Sequence, residues 1–138
     1  MNKTLRLAYT LSEKAIGDSG LLPFLPLTLF VGDQKVNAAG LLDTGSTVNV
    51  LPFSVGQSLG MEWEKETTRV PLTSNLATVE SVGVFVSAQV EDLAPVNLVF
   101  AWAKTDDIPM ILGQTNFFLE FNVCFFRSQM LFEIRRKE

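Results

Sequence analysis

Apolar and polar residues alternate from Thr4 to Thr10 closely enough for a β-strand, and Ser12 to Gly20 then reads as a loop. Leu25 to Val31 and Lys35 to Leu42 are two further strand candidates, joined by Gly32-Asp33, a dipeptide that favours a tight hairpin turn. The β-branched and apolar run Thr47-Val48-Asn49-Val50-Leu51 follows. Pro52 opens a short helical turn through Phe53 to Leu59, which Gly60 closes. Thr67 to Leu72 and Ala77 to Val79 can pair around Ser74-Asn75 as a polar-tipped hairpin. In the second half, Val82 to Val90 and Val96 to Ala103 read as strands, and Asp106-Asp107 as a solvated turn. Ile108 to Gly113 precedes a segment, 115–121, whose apolar residues fall at helical spacing with Thr115 or Asn116 available as cap. Asn122 to Phe126 and Met130 to Ile134 form a last hairpin around Arg127-Ser128-Gln129. Many short strands with one short C-terminal helix predict a mainly β architecture, a closed or partly closed β-barrel.

Length and composition narrow the picture. At 138 residues, 47% hydrophobic and 19% charged, the chain has apolar material for one core and little length for a second, so 1–138 is expected to be a single domain. Eleven basic residues against fifteen acidic leave a net charge of -4, and the one basic run, Arg135-Arg136-Lys137, reads as a solvated terminus. No nucleic acid partner is expected, because phosphate binding needs a basic face. The most apolar stretch, Leu21 to Val31, is too short to cross a bilayer and holds Pro23 and Pro26, while Ser12-Glu13-Lys14 interrupts any signal-peptide core. No membrane partner and a cytoplasmic location are the expectations.

Missing residue types remove whole chemistries. Histidine is absent, which excludes Ser-His-Asp and Cys-His mechanisms and the usual histidine-based metal sites. Cys124 stands alone and, within the apolar run Asn122-Val123-Cys124-Phe125-Phe126, reads as a buried packing thiol. No metal and no other cofactor is expected. Acid-base work is left to carboxylates, lysine, tyrosine or that thiol. Phe30, Phe53, Phe85, Phe100 and Trp102 read as core, and Phe117, Phe118 and Phe121 as packing residues of the C-terminal helix. Trp63, among Glu62, Glu64, Lys65 and Glu66, fits a half-buried lid residue or an interface equally well.

The run Leu41-Leu42-Asp43-Thr44-Gly45-Ser46-Thr47 places an acid directly after an apolar strand. A carboxylate there is costly unless stabilised, and Thr44, Gly45 and Ser46 can supply hydroxyls and backbone amides. Asp-Thr-Gly alone is a common turn. Taken with Leu51-Pro52, with Met110-Ile111-Leu112-Gly113, and with a short helix and final hairpin behind them, it resembles the retropepsin-like aspartic peptidases over most of the chain.

That resemblance implies an acid-protease barrel in which Asp43, Thr44 and Gly45 form the catalytic loop. Ser46 and Thr47 would contact substrate, together with Ser74 and Asn75 at the tip of a covering hairpin. Ile111, Leu112 and Gly113 would support the loop from a neighbouring strand, where a side chain in place of the glycine would push two backbones apart. The chemistry needs two carboxylates and the chain holds one Asp-Thr-Gly, so the implied enzyme is a homodimer acting on a peptide or protein substrate. Like charges so close cannot both ionise, so the pair would hold one proton between them. Viral members carry an acid two positions after the loop glycine and an arginine just after the downstream glycine; here Thr47 and Gln114 stand there, and a hydroxyl–amide hydrogen bond is the expected substitute for that ion pair. The hairpin Leu72 to Thr78 lacks the glycines of family flaps, which favours the alternative of a catalytically silent dimerisation or peptide-binding module.

Overall fold

The computed structural model describes residues 3–11, 20–74 and 77–138. Its elements in chain order are β1 (Leu5–Ala8), β2 (Thr10–Leu11), β3 (Leu21–Leu22), β4 (Phe24–Val31), β5 (Gln34–Leu42), β6 (Asn49–Leu51), α1 (Phe53–Ser58), β7 (Leu72–Ser74), β8 (Ala77–Val79), β9 (Ser81–Gln89), β10 (Val96–Ala103), β11 (Ile111–Leu112), α2 (Phe117–Glu120), β12 (Phe121–Phe126) and β13 (Leu131–Arg136). Nearly all of the Ser12–Gly20 loop lies outside the described residues.

Period-two burial builds the barrel wall. Leu25, Leu27 and Leu29 of β4 and Val82, Val84, Val86 and Ala88 of β9 are buried, while the residues between them are half-buried or exposed. Gly32, at φ 56°, makes the turn that folds β4 antiparallel onto β5, as the Gly-Asp dipeptide predicts. β4 also pairs with β9, and β9 with β10, both antiparallel. β10 runs parallel to β6, and β11 lies between β6 and β5, antiparallel to the first and parallel to the second. The order β10-β6-β11-β5-β4-β9 closes on itself, so the expected barrel is present and its strands have no free edge. Leu98, Phe100, Trp102 and Leu112 are fully buried within it.

A three-stranded sheet, β1-β13-β12, packs Leu5, Phe132 and Ile134 inward and presents Arg6, whose guanidinium donates to Glu133 at 2.7 and 3.0 Å, outward. Lys3 donates to both carboxylate oxygens of Asp92 at 3.1 and 2.9 Å and holds that acid below its usual range. The final hairpin appears as expected, with β13 central in this sheet and β1 and β12 at its edges.

Several sequence expectations are corrected. The longer helix is α1, of six residues, whereas α2 has four. The apolar spacing of 117–121 builds a stack of Phe117 on Phe121, 4.7 Å between ring centroids, rather than a long helix face. Of the aromatic residues assigned to the core, Phe100 and Trp102 are there, Phe30 and Phe53 are half-buried, and Phe85 is 78% exposed. Phe85 sits opposite Val99, also exposed, because both occupy the outward positions of paired strands. Cys124 is exposed for the same reason, pairing with Glu133 on the outer face of the end sheet. Residues 67–71 form no continuous strand; Pro71 lacks an N–H, and only Arg69 makes a bridge, to Val82. Asp106 is more than a solvated turn, since its Oδ1 accepts the Ser54 N–H at 2.9 Å at the start of α1. Arg136 and Lys137 reach Glu120 at 3.5 and 3.3 Å, so the basic tail is tied down. Trp63 is buried, donating from Nε1 to Trp102 O at 3.1 Å with Arg69 and Lys104 over its ring.

Phe85→Ser is expected to change stability by less than ~0.5 kcal/mol, whereas Phe100→Ala is expected to lose about 3–5 kcal/mol. Denaturant midpoints of the two variants, compared with the parent, check the assignment, and equal losses would refute it.

Candidate active site

Asp43 leaves the end of β5 with its backbone N–H donating to Leu112 O of β11 at 3.0 Å. One residue earlier, the Leu42 N–H donates to Pro23 O at 3.0 Å, and the Leu41 N–H to Met110 O at 2.8 Å. The acid is thus delivered by a strand held on both sides. Beyond it the chain turns sharply, the Ser46 N–H donating to Asp43 O at 3.1 Å. The half-buried carboxylate folds back on this turn, and Oδ1 accepts the Gly45 N–H at 2.9 Å. Ser46 Oγ donates to Val48 O at 2.8 Å, so that hydroxyl braces the turn. Thr44, Gly45 and Thr47 are exposed.

β11 crosses directly behind this turn. The Gln114 N–H donates to Ser46 O and the Thr115 N–H to Thr47 O, each at 2.8 Å. A Cβ on Gly113 would stand 2.8 Å from Ser46 O and closer still to Val48 O, so only glycine fits, as the sequence argument requires. Ile111, Leu112 and Gly113 are therefore brought beside Asp43. The hydroxyl–amide pairing expected between Thr47 and Gln114 does not form. Gln114 Nε2 donates instead to Thr44 O at 2.9 Å, and Thr47 contributes its backbone carbonyl to Thr115.

The support behind the crossing centres on a residue that sequence reading passed over. Asn49 is fully buried in β6, and its Oδ1 accepts the Gly113 N–H at 2.8 Å. Its Nδ2 donates to Val99 O at 3.0 Å and to Asn116 Oδ1 at 3.2 Å. Asn116, expected as a helix cap, makes no capping bond; its Oδ1 accepts the Val99 N–H and its Nδ2 donates to Asn97 O, both at 3.1 Å. The two amides tie β6, β10 and β11 together behind the turn. The available signal was one polar residue inside the apolar run 47–51.

Ser74 ends β7, which pairs with β8 in the expected hairpin, while Asn75 lies outside the described residues. Leu72 and Val79, opposite each other at the base of that hairpin, pack with Val48 and Ile111 against buried Val50, Ala103 and Ile108. The hairpin root thereby rests on the apolar wall beside the Asp43 turn. A cleft of about 430 Å³ opens along this root, lined by Arg69, Val70, Pro71, Thr78, Val79, Glu80 and Ser81. Among the described residues no group of three carboxylates or thiols is gathered as a metal site, and no helix is long and apolar enough to cross a membrane.

A sequence-family profile described as aspartyl protease matches residues 27–115. A retropepsin-like aspartic protease from Rickettsia conorii superposes with a TM-score of 0.66 at 17% identity, covering 99% of this chain and 94% of that one. EIAV protease, in complex with the inhibitor HBY-793, superposes with a TM-score of 0.55 at 17% identity, covering 72% of this chain and 88% of that one. No curated protein sequence matches the chain significantly.

Asn49→Leu removes the acceptor of the Gly113 N–H and the donor to Val99 O, leaves Asn116 Oδ1 with the Val99 N–H alone, and is expected to destabilise the protein by about 2–4 kcal/mol. Thermal unfolding of the variant checks this, and an unchanged midpoint would show that the amide pair is not the brace described.

Proposed function

The chain belongs to the aspartyl protease family and is a hydrolase with a retropepsin-like fold, and we propose that it acts as a homodimeric endopeptidase using the Asp43 carboxylates of two copies. The observation that carries this reading is the Asp43 turn itself. An acid is presented at the end of a barrel strand, aimed by the Gly45 N–H, and its backbone is fixed by Leu112. The chain holds one Asp-Thr-Gly, so the second carboxylate of the pair comes from a second copy. The edges of the β1-β13-β12 sheet leave backbone groups unpaired within the described residues, which supports association through that end of the molecule.

In this reading the two carboxylates share one proton, because a second negative charge at hydrogen-bonding distance is strongly disfavoured. The ionised carboxylate takes a proton from a water held between the pair. Its protonated partner donates to the peptide carbonyl and assists departure of the nitrogen. No covalent intermediate forms. Such acid-base assistance supplies on the order of 10²–10⁴-fold, so positioning and exclusion of water account for the remainder. An extended substrate lies against the Asp43 turn, in contact with Ser46 and Thr47 of that turn and with Ser74, which ends β7, and Asn75, which follows it in the chain. Residues 1–138 form one domain in this reading. The family match favours catalysis over a silent peptide-binding module on the same scaffold.

Asp43→Asn is expected to reduce cleavage of a peptide library by at least ~10²-fold from acid to neutral pH while leaving the fold intact. Specific activity of the parent should also fall on dilution, in step with a mass change from dimer to monomer in solution. Full activity in Asp43→Asn, or in a protein that stays monomeric at every concentration, would remove the paired-carboxylate mechanism.

A further inference from the structure

Gln114 is exposed and uncharged, and it lies far along the chain from the Asp43 turn, yet two of its nitrogens hold that turn. Its backbone N–H donates to Ser46 O at 2.8 Å, and its side-chain Nε2 donates to Thr44 O at 2.9 Å. The Thr44 carbonyl and the Gly45 N–H belong to one planar peptide group and point to opposite sides of it. That same Gly45 N–H donates to Asp43 Oδ1 at 2.9 Å. One peptide group therefore connects the Gln114 amide to the Asp43 carboxylate.

From this geometry we infer that Gln114 is a positioning residue for the cleavage reaction, setting the plane of the Thr44–Gly45 peptide and through it the orientation of the Asp43 carboxylate. The inference rests on the reading of Asp43 as catalytic. Glycine is the residue whose backbone rotates most freely, so a turn built on Gly45 needs anchors on each side. Gln114 supplies both, at the carbonyls of Thr44 and Ser46. A donor on the Thr44 carbonyl also polarises the peptide, which strengthens the N–H bond to the anion on its other side. The segments 40–51 and 110–117 hold no ionisable side chain except Asp43, and neither do Pro23 nor the strands 72–74 and 77–79. Asp43 is thus the one ionisable side chain on these segments, which are bonded to or packed beside the turn.

The test compares steady-state cleavage of one peptide by the parent, Asp43→Asn, Gln114→Leu and Gln114→Glu from acid to neutral pH, with fold and mass checked for each. Gln114→Leu removes the donor and keeps the bulk; kcat is expected to fall roughly tenfold at every pH, with KM within about twofold of the parent. Gln114→Glu can donate to Thr44 O only while its carboxyl is protonated. It is expected to match the parent below the ordinary glutamate range, about 4.3, and to drop to the Gln114→Leu level or lower above it. A merely structural role would not produce that crossover. If Asp43→Asn is inactive, the inference is overturned by either Gln114 variant following the parent's profile throughout, or by Gln114→Glu staying low at every pH; the reading of Asp43 then survives. Activity in Asp43→Asn overturns both.

Discussion

Two backbones at the Asp43 turn pass closer than any side chain would allow, and the rest of the site is arranged around that approach. Gly113 lies against the carbonyls of Ser46 and Val48, and the residues after it donate to Ser46 and Thr47. The approach converts a polar loop, which would otherwise be free to move, into a continuation of the barrel wall. An acid on this turn inherits the rigidity of β5 and β11.

A crossing so tight needs polar partners in a dry place, and Asn49 and Asn116 supply them. Their side chains satisfy groups on β6, β10 and β11, and no buried side-chain nitrogen or oxygen among the described residues is left without a partner. A fully connected amide pair is compatible with burial, whereas a half-satisfied one would be worse than leucine. Neutral groups do this work at the front of the turn as well. Gln114 holds Thr44 through an amide, with no ion pair to desolvate beside the Asp43 carboxylate.

The apolar wall joins this rigid floor to the hairpin above it. Leu72 and Val79 at the hairpin root share a small cluster with Val48 and Ile111, residues that flank the turn on either side. The position of the hairpin root and the shape of the wall beside Asp43 are thereby linked through packing. The end sheet serves a different purpose: its inner face completes the core, and β1 and β12 form its edges.

Local chemistry was readable residue by residue. The Gly32-Asp33 hairpin, the Pro52 start and Gly60 stop of α1, and the alternation in β4 and β9 all follow from preferences expressed over a few neighbouring residues, whereas the placement of Ile111-Leu112-Gly113 beside Asp43-Thr44-Gly45 came from the family resemblance. Alternation assigns residues to the two faces of a strand but does not say which face another part of the chain will cover. For that reason Phe85 and Cys124, apolar in sequence context, turned out to be exposed, and Trp63, surrounded by charge, turned out to be buried. Hydrogen-bond partners were hidden in the same way: Asn116 bonds Val99 rather than capping its helix, and Gln114 bonds Thr44 rather than Thr47. Those choices depend on carbonyls and amides contributed by segments 17 and 70 residues away, and they exist only once the barrel has closed.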